Sequence, residues 1–205
     1  TISEEKRFCV DTTESGINGD TDLMRHPALV VASHNALKRK ILRTAALFPL
    51  ADIYICKRDV EGYFNRFAYA PKDVELFAYG LPSEGMRVAG DPPDPKQDRH
   101  ITVLNLNMGF GWAAAPGQSS PWSAAVSSVM AAHAPSDPEL NGTEPYGAAM
   151  VIDDAALVEP DVGTRLQEAA ALADQTIRDL MGPDAINPSK MKEEGEWDRR
   201  VIVWG

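Results

Sequence analysis

Two short apolar runs flank a pair of adjacent acids, and this arrangement limits the possible folds more than any other part of the chain. Residues 148–158 read AAMVIDDAALV, and each apolar run has the length and composition of a buried strand. The stretch therefore predicts a tight β-hairpin with Asp153 and Asp154 at its turn. Asp-Asp is common turn chemistry, which is the commoner explanation for this stretch taken alone.

The acidic pair has no cationic neighbour in the local sequence. No Lys or Arg occurs between Arg99 and Arg165, whereas the same window holds seven acids. Two adjacent ionised carboxylates repel each other, so their pKa values separate unless a cation relieves the repulsion. A bound divalent metal ion is therefore a second explanation for the pair.

The composition is that of an ordinary globular protein of 205 residues, with 44% hydrophobic and 24% charged residues. No apolar run approaches the roughly 20 residues of a membrane span, so we expect no membrane partner. Cys9 and Cys56 lie in strand-like runs and predict two reduced, buried thiols in an intracellular setting. The chain begins at Thr1 and ends in an apolar run, so we expect a segment of a longer protein.

Charge is distributed unevenly. The net charge of −10 argues against a chain whose whole surface binds nucleic acid, yet residues 1–66 carry ten cations against nine acids. Four of these cations, Lys38, Arg39, Lys40 and Arg43, lie on the exposed side of a predicted helix at 27–47. This basic cluster is either a solvated helix face or a phosphate-facing surface, and both interpretations stay open.

Strands and helices are mixed along the chain, with short connections between strands. This pattern predicts an α+β fold with a mostly antiparallel sheet. The predicted strands are 6–11, 53–56, 67–69, 86–89, 101–106, 148–152, 155–158 and 201–204. The predicted helices are 27–47, 71–79, 122–132 and 161–181, the last with Asp161 as its N-cap, and 108–117 is predicted to be a loop of small residues.

Three motifs then occur in a definite order. Asp59 closely follows the predicted strand at 53–56, and Phe64 lies five residues further on; residues 110–116 read FGWAAAP; residues 151–154 read VIDD. This order resembles the reverse transcriptase family, the RNA-directed DNA polymerases of retroelement polyproteins. Each motif alone is weak, and their order gives the resemblance its specificity.

The resemblance covers nearly the whole chain and implies a polymerase palm, with a mostly antiparallel sheet packed on helices, plus partial fingers. Residues 1–50 resemble part of the fingers and 51–205 the palm. Within the palm, 51–82 hold the first acidic motif, 83–100 an inserted loop and 101–133 the nucleotide and template loop with its helix. The Asp-Asp hairpin and helix occupy 146–182, and the primer-grip region begins within 183–205. The thumb and RNase H parts are expected outside this chain.

The resemblance also implies a two-metal nucleotidyl transfer. Asp59, Asp153 and Asp154 are the implied catalytic residues, and with the Val60 carbonyl they are the implied ligands of two Mg²⁺ ions, for which Mn²⁺ is an alternative. The implied nucleotide-binding residues are Arg7, Phe64, Phe110, Gly111 and Lys190. The implied primer and template contacts are Trp112, Pro116, Val151 and Trp204.

The implied partners are an RNA or DNA template with its primer, deoxynucleoside triphosphates, and the thumb and RNase H parts of the parent chain. The motifs depart from the family at three positions. Val151 replaces the usual Tyr or Phe, Phe110 a frequent Gln, and Thr13 a second cation. Two other functions therefore remain open. One is a catalytically inactive relic or isolated palm and fingers fragment, and the other is a different palm-type enzyme that uses two metal ions.

Overall fold

The structure is a computed structural model that describes residues 32–66, 78–82, 100–104 and 115–204. The chain divides into two compact units, one formed by 1–21 and 64–111 and the other by 22–63 and 112–205. In the described part of the chain, no helix combines the length and apolar character needed to cross a bilayer. The predicted strands at 6–11, 67–69 and 86–89, and with the first of them Cys9, lie outside the described residues.

The elements follow one another in this order along the chain. They are α1 (His34–Leu47), β1 (Ile53–Asp59), a 3₁₀ turn (Tyr63–Arg66), β2 (Ala78–Pro82), β3 (His100–Leu104), α2 (Ala115–Ala132), α3 (Pro138–Asn141), β4 (Ala148–Val151), β5 (Asp154–Pro160), α4 (Arg165–Met181) and α5 (Pro188–Glu194).

The larger unit is built on a three-stranded antiparallel sheet with the strand order β1-β5-β4. β4 and β5 form the hairpin expected at the acidic pair, with Val151 opposite Asp154. β1 pairs with the other edge of β5, from Ile53 opposite Pro160 to Asp59 opposite Asp154. The predicted α+β class, the antiparallel sheet and the hairpin are therefore confirmed.

β5 is the centre of the core because it is covered on both faces. On one face, Leu157 packs in a cluster with Ala169 and Ala173 of α4 and Met130 of α2. On the other face, Ala156, Val158 and Ala149 pack with Leu37 of α1, and all the residues of these two clusters named here are buried. A strand buried on both faces has to be apolar without alternation, which explains the continuous apolar runs of the hairpin.

Several predicted element boundaries are wrong, and capping explains one of them. α1 begins at His34 and not at Pro27, because Ser33 accepts a hydrogen bond from the Ala36 amide and acts as the N-cap. α4 begins at Arg165 with Thr164 in the N-cap position, whereas the Asp161 amide donates to the Asp52 carbonyl at 2.8 Å. The predicted stop of α4 is confirmed, since Gly182 is its C-cap at φ 108°.

Other corrections concern elements that change type. α2 begins at Ala115, so Pro116 lies in its first turn, a position that tolerates proline because the amide there needs no helical partner. Ala78–Pro82 is a strand paired with His100–Leu104, so the helix predicted at 71–79 does not include its last two residues. Residues 201–204 form no strand, and Trp204 has a left-handed φ of 57°.

Candidate functional site

The predicted acidic residues meet where β1 ends beside the turn of the hairpin. Asp59 and Asp154 lie opposite each other in the antiparallel pairing of β1 and β5. Asp59 is the last residue of β1 and Asp154 is the first residue of β5. Directly after Asp59, the Val60 amide donates to the Asp153 carbonyl at 3.0 Å. The structure therefore brings Asp59, Val60, Asp153 and Asp154, all named from the sequence, to one corner.

The hairpin turn is tight and strained. Only Ile152 and Asp153 separate the two strands, and Ile152 has a φ of 55°. A β-branched residue in the left-handed region is rare and costs on the order of 1–3 kcal/mol unless the surroundings fix it. Ser123 of α2 helps to hold Ile152 in this conformation, because its buried hydroxyl donates a hydrogen bond to the Ile152 carbonyl at 3.3 Å.

Sequence reasoning missed Ser123 and its neighbour Tyr63. The Tyr63 hydroxyl lies 3.5 Å from the Ser123 hydroxyl, and both residues are buried. The two side chains join the turn after β1 to α2 and, through Ser123, to the hairpin. A serine within a stretch of small residues carries no pattern that would have identified it as a support for the turn.

Lys190 places a positive charge against the first acidic residue. Its Nζ lies 2.5 Å from Asp59 Oδ1, across a sequence separation of 131 residues. The Lys190 side chain is 47% exposed and the Asp59 side chain is 10% exposed, so the lysine reaches the carboxylate from the solvent side. Lys190, which the resemblance implies as a nucleotide-binding residue, is thus adjacent to the first of the acidic residues.

The start of α5 positions Lys190. Asn187 is its N-cap, and the Asn187 side chain accepts hydrogen bonds from the amides of Ser189 and Lys190 at 3.0 Å each. The segment just before is tied to the end of β1, since the Glu61 amide donates to the Ala185 carbonyl at 2.7 Å. Residues 187–190 are therefore the capped first turn of a helix.

The three carboxylates of the corner repel one another, and the Lys190 ammonium partly compensates their charge. Burial raises the pKa of Asp153, and the charges of Asp154 and Asp59 raise it further, while its own backbone and Lys190 oppose the shift. The hydrogen bond to Asp59 raises the pKa of Lys190, and the charges of the three carboxylates add to that rise. The local field therefore favours a proton or another cation at this corner.

Two of the predicted primer and template residues lie beside the hairpin. Val151 is the last residue of β4 and pairs with Asp154. The Trp204 indole donates to the Asp154 carbonyl at 3.4 Å, and its ring meets His34 edge to face with centroids 5.6 Å apart. Trp204 reaches this position from an irregular segment and not from the strand predicted there.

The remaining predicted site residues are placed less fully. Phe64 lies in the 3₁₀ turn at Tyr63–Arg66, and Pro116 lies in α2. The other four lie outside the described residues; they are Arg7, Phe110, Gly111 and Trp112.

A buried polar cluster surrounds Arg58 and Cys56, the residues of β1 that lead up to Asp59. The Arg58 guanidinium, next to Asp59, forms an ion pair with Asp174 of α4 and donates to the Gly195 carbonyl at 2.9 Å. Cys56 is a free, buried thiol that donates to the same carbonyl, and burial raises its pKa to about 11. The predicted reduced, buried thiol is confirmed for Cys56, where it helps join β1 to the end of α5.

The donor chemistry of the corner fits Mg²⁺, which prefers carboxylate and carbonyl oxygens. Asp59, Asp153 and Asp154 supply carboxylates, and the burial that raises the pKa of Asp153 marks a charge that a cation would stabilise. Across residues 32–66, 78–82, 100–104 and 115–204, however, no three acidic, His or Cys side chains are arranged closely enough to hold a metal ion. The cation beside Asp59 in this arrangement is the Lys190 ammonium.

Comparisons of the chain with protein-family models, with curated proteins and with solved structures find no match.

Proposed function

We propose that this chain is the palm, with part of the fingers, of a polymerase of the reverse transcriptase type, which carries out RNA-templated nucleotidyl transfer. The observation that carries the proposal is the register of β1 and β5, which makes Asp59 the partner of Asp154. Two acids from distant parts of the sequence thereby share one corner with Asp153. Carboxylates that meet at one corner of a fold are the residue type used in reactions in which charge builds up on phosphate oxygens next to divalent cations.

In this proposal Asp59 and Asp153 are the principal ligands of Mg²⁺, the Val60 carbonyl assists and Asp154 is secondary. When bound, Mg²⁺ supplies positive charge that stabilises phosphate oxygens and lowers the pKa of a coordinated hydroxyl. The carboxylates hold charge at a fixed corner, since β1 and the hairpin are locked together by the hydrogen bond between Val60 and Asp153. Fixed groups of this kind stabilise developing charge without reorganisation during the reaction.

Lys190 has two possible acceptors in the proposed reaction. Its ammonium now donates to Asp59, and an incoming triphosphate at the same corner would compete for it. The raised pKa keeps Lys190 protonated at neutral pH, so it retains the charge needed to neutralise phosphate. Phe64 is proposed to stack beneath the sugar, and Val151 and Trp204 to border the primer end.

A second candidate is a folded but inactive relic, and the Lys190–Asp59 ion pair favours it. An ammonium 2.5 Å from Asp59 neutralises that carboxylate with no metal ion, so the fold can tolerate the acids without catalysis. Val151, a small aliphatic residue where the resembling family carries an aromatic ring, points the same way. A relic keeps the hairpin and the ion pair but shows no nucleotide incorporation.

Single-nucleotide incorporation by the full-length protein tests the proposal. A labelled primer on an RNA template is offered each deoxynucleoside triphosphate separately with Mg²⁺. We expect addition of the complementary nucleotide alone, and we expect Asp59→Asn to reduce the rate by roughly a hundredfold or more, in line with the loss of a group that stabilises transition-state charge. The matched control is Asp161→Asn, an exposed acid near the opposite end of β5.

Each alternative gives a distinct result in that experiment. Absence of incorporation by the folded full-length protein supports the relic, as does a failure to bind primer and template at low salt, where phosphate contacts are strongest. Incorporation without a template supports another palm-type enzyme. Either result contradicts the proposed function.

A further inference from the structure

A cavity of about 490 Å³ lies away from the acidic corner, near the other end of β5. Its walls come from α1, from Val158 and Glu159 of β5, and from the segment leading into β4. Glu159 and Asp154 lie near opposite ends of the strand, roughly 17 Å apart at the usual rise per residue. The cavity has the size of a small-molecule site, for which about 300–1,000 Å³ is typical.

One wall of the cavity carries three cations from a single face of α1. They are Arg39, Lys40 and Arg43. Arg39 and Arg43 lie one helical turn apart, a spacing at which like charges destabilise a helix. Among the described residues, none of these three cations forms an ion pair. An anion in the cavity would relieve this repulsion.

The position of Lys40 is set by packing. A Cβ added at Gly147 would lie 3.2 Å from Lys40 Cδ and 2.8 Å from the Val158 carbonyl oxygen, so the glycine leaves room for the lysine stem. Burial lowers the pKa of Lys40, and Arg43 lowers it further, although Glu159 raises it. A partly desolvated ammonium beside two arginines gains more from an anionic ligand than an exposed lysine does.

The fourth cation of the cavity is already paired. Arg165 Nε lies 2.5 Å from Glu159 Oε2, and its guanidinium packs over the rings of Phe48 and Tyr146 at 5.3 and 5.2 Å. With Glu144 as the other acid of the lining, four cations face two carboxylates, a balance of +2 in a chain of net charge −10. A phosphate monoester carries about −1.5 to −2 at neutral pH, which matches this balance.

We propose that this cavity binds a small organic phosphate monoester, with Arg39, Lys40 and Arg43 holding the phosphoryl group. Guanidinium groups suit this role because their planar donors match phosphate oxygens in pairs. The organic part packs on the apolar wall formed by Leu47, Phe48 and Val158. The site does not depend on the function proposed for the acidic corner, because it shares no residue with that corner.

Calorimetric titration with phenyl phosphate at low ionic strength, without Mg²⁺, tests this site. The variants are Lys40→Met and the double variant Arg39→Gln/Arg43→Gln. The matched control is Lys38→Gln, an exposed cation of α1 outside the cavity lining. We expect saturable binding of one molecule per chain, a loss of affinity of roughly tenfold or more in each cavity variant, and a change of at most about twofold in the control.

Three outcomes would overturn the proposal. The first is that phenyl phosphate binding does not saturate. The second is that Lys38→Gln weakens binding as much as the cavity variants do. The third is that a short single-stranded oligonucleotide binds more tightly than phenyl phosphate through the same three cations. The last result makes the cavity a nucleic-acid contact and not a small-molecule site. Inorganic phosphate, titrated alongside, should bind more weakly than phenyl phosphate because it gains nothing from the apolar wall. Thermal melting of each variant verifies the fold. The double variant puts the fold at little risk because Arg39 and Arg43 are exposed.

Discussion

The ammonium of Lys190 lies 2.5 Å from Asp59 Oδ1 and is held there by a helix that Asn187 caps. The same carboxylate is the register partner of Asp154 across the β1–β5 pair. One lysine therefore balances part of the charge of an acidic corner at which we propose Mg²⁺ to bind.

Replacement of Lys190 by Met should strengthen Mg²⁺ binding at Asp59. The ammonium and the metal ion compete for one carboxylate, and because the lysine is about half exposed the effect is modest, with a dissociation constant lowered roughly fivefold to tenfold. Titration of Mg²⁺ against thermal stability measures this constant. Lys192→Met, an exposed lysine of the same helix, serves as the control, and equal Mg²⁺ affinity in all three proteins would contradict the competition.

Replacement of Asp153 by Asn should stabilise the fold at neutral pH. Because burial raises the pKa of Asp153, the folded state binds more protons than the unfolded state above the ordinary carboxyl pKa, and stability falls as pH rises through that window. The variant avoids this loss, so we expect its Tm to exceed that of the native chain by roughly 2–5 °C at neutral pH. Below a pH of about 4 the difference should vanish, because the native Asp153 is then protonated.

Melting curves of the native and Asp153→Asn proteins between neutral pH and a pH below about 4 measure this difference in Tm, and Asp161→Asn, at an exposed acid, is the control. A destabilised Asp153→Asn protein at neutral pH would show that the carboxylate supports the hairpin instead of straining it. A gain in stability from removing an acid is the sign expected where an acidic group is retained for chemistry and not for folding.

The buried ion pair of Glu159 and Arg165 predicts a strongly non-additive pair of mutations. The side chains are 1% and 2% exposed, so Arg165→Met leaves an unpaired buried carboxylate and should cost about 3–5 kcal/mol of unfolding free energy. The double variant Arg165→Met/Glu159→Leu should recover most of that loss, since both charges are removed together. Urea denaturation of the two single variants and the double variant measures the coupling, and additive losses would contradict the prediction.

The hydrogen bonds of Glu168 join α4 to the loop before the hairpin, and we expect their contribution to stability to be lost in acid. It accepts hydrogen bonds from the Ser136 amide, Thr164 and Tyr146, and these hold its pKa at about 2. A lowered pKa gives stability that is present above the ordinary carboxyl pKa of about 4.3 and is lost as pH falls towards about 2. Glu168→Gln should therefore lower stability at neutral pH, and the difference from the native chain should shrink across that window.

Urea denaturation at several pH values between about 7 and 2.5 tests the Glu168 prediction. Glu196→Gln, an exposed acid near the end of α5, is the control and should leave the pH dependence unchanged. A constant difference between native and Glu168→Gln proteins at every pH would mean that the contribution of Glu168 does not come from its charge.

Local pattern was sufficient to predict the hairpin and most of α4. The two apolar runs around Asp153 and Asp154 and the apolar stripe of the helix are short-range signals, and the structure contains both elements. Helix starts were placed wrongly at Pro27 and Asp161 because the choice among neighbouring capping residues depends on backbone geometry that periodicity does not encode.

The assembly of the corner could not be predicted from local pattern. The pairing of β1 with β5 and the contact of Lys190 with Asp59 join residues far apart in sequence, and only tertiary packing brings them together. The resemblance to a polymerase suggested which acids would meet, but it did not indicate the left-handed Ile152 or the serine that supports it. The basic cavity was likewise visible only as a cluster of cations on one helix.

The central claim is that the corner formed by Asp59, Asp153 and Asp154 performs templated nucleotidyl transfer. Primer extension on an RNA template, by the full-length protein with and without Asp153→Asn, tests it most directly. We predict Mg²⁺-dependent extension by the native chain and a loss of roughly a hundredfold or more in the variant, with folding intact. Extension that is unchanged in rate and in Mg²⁺ dependence in Asp153→Asn would contradict the account.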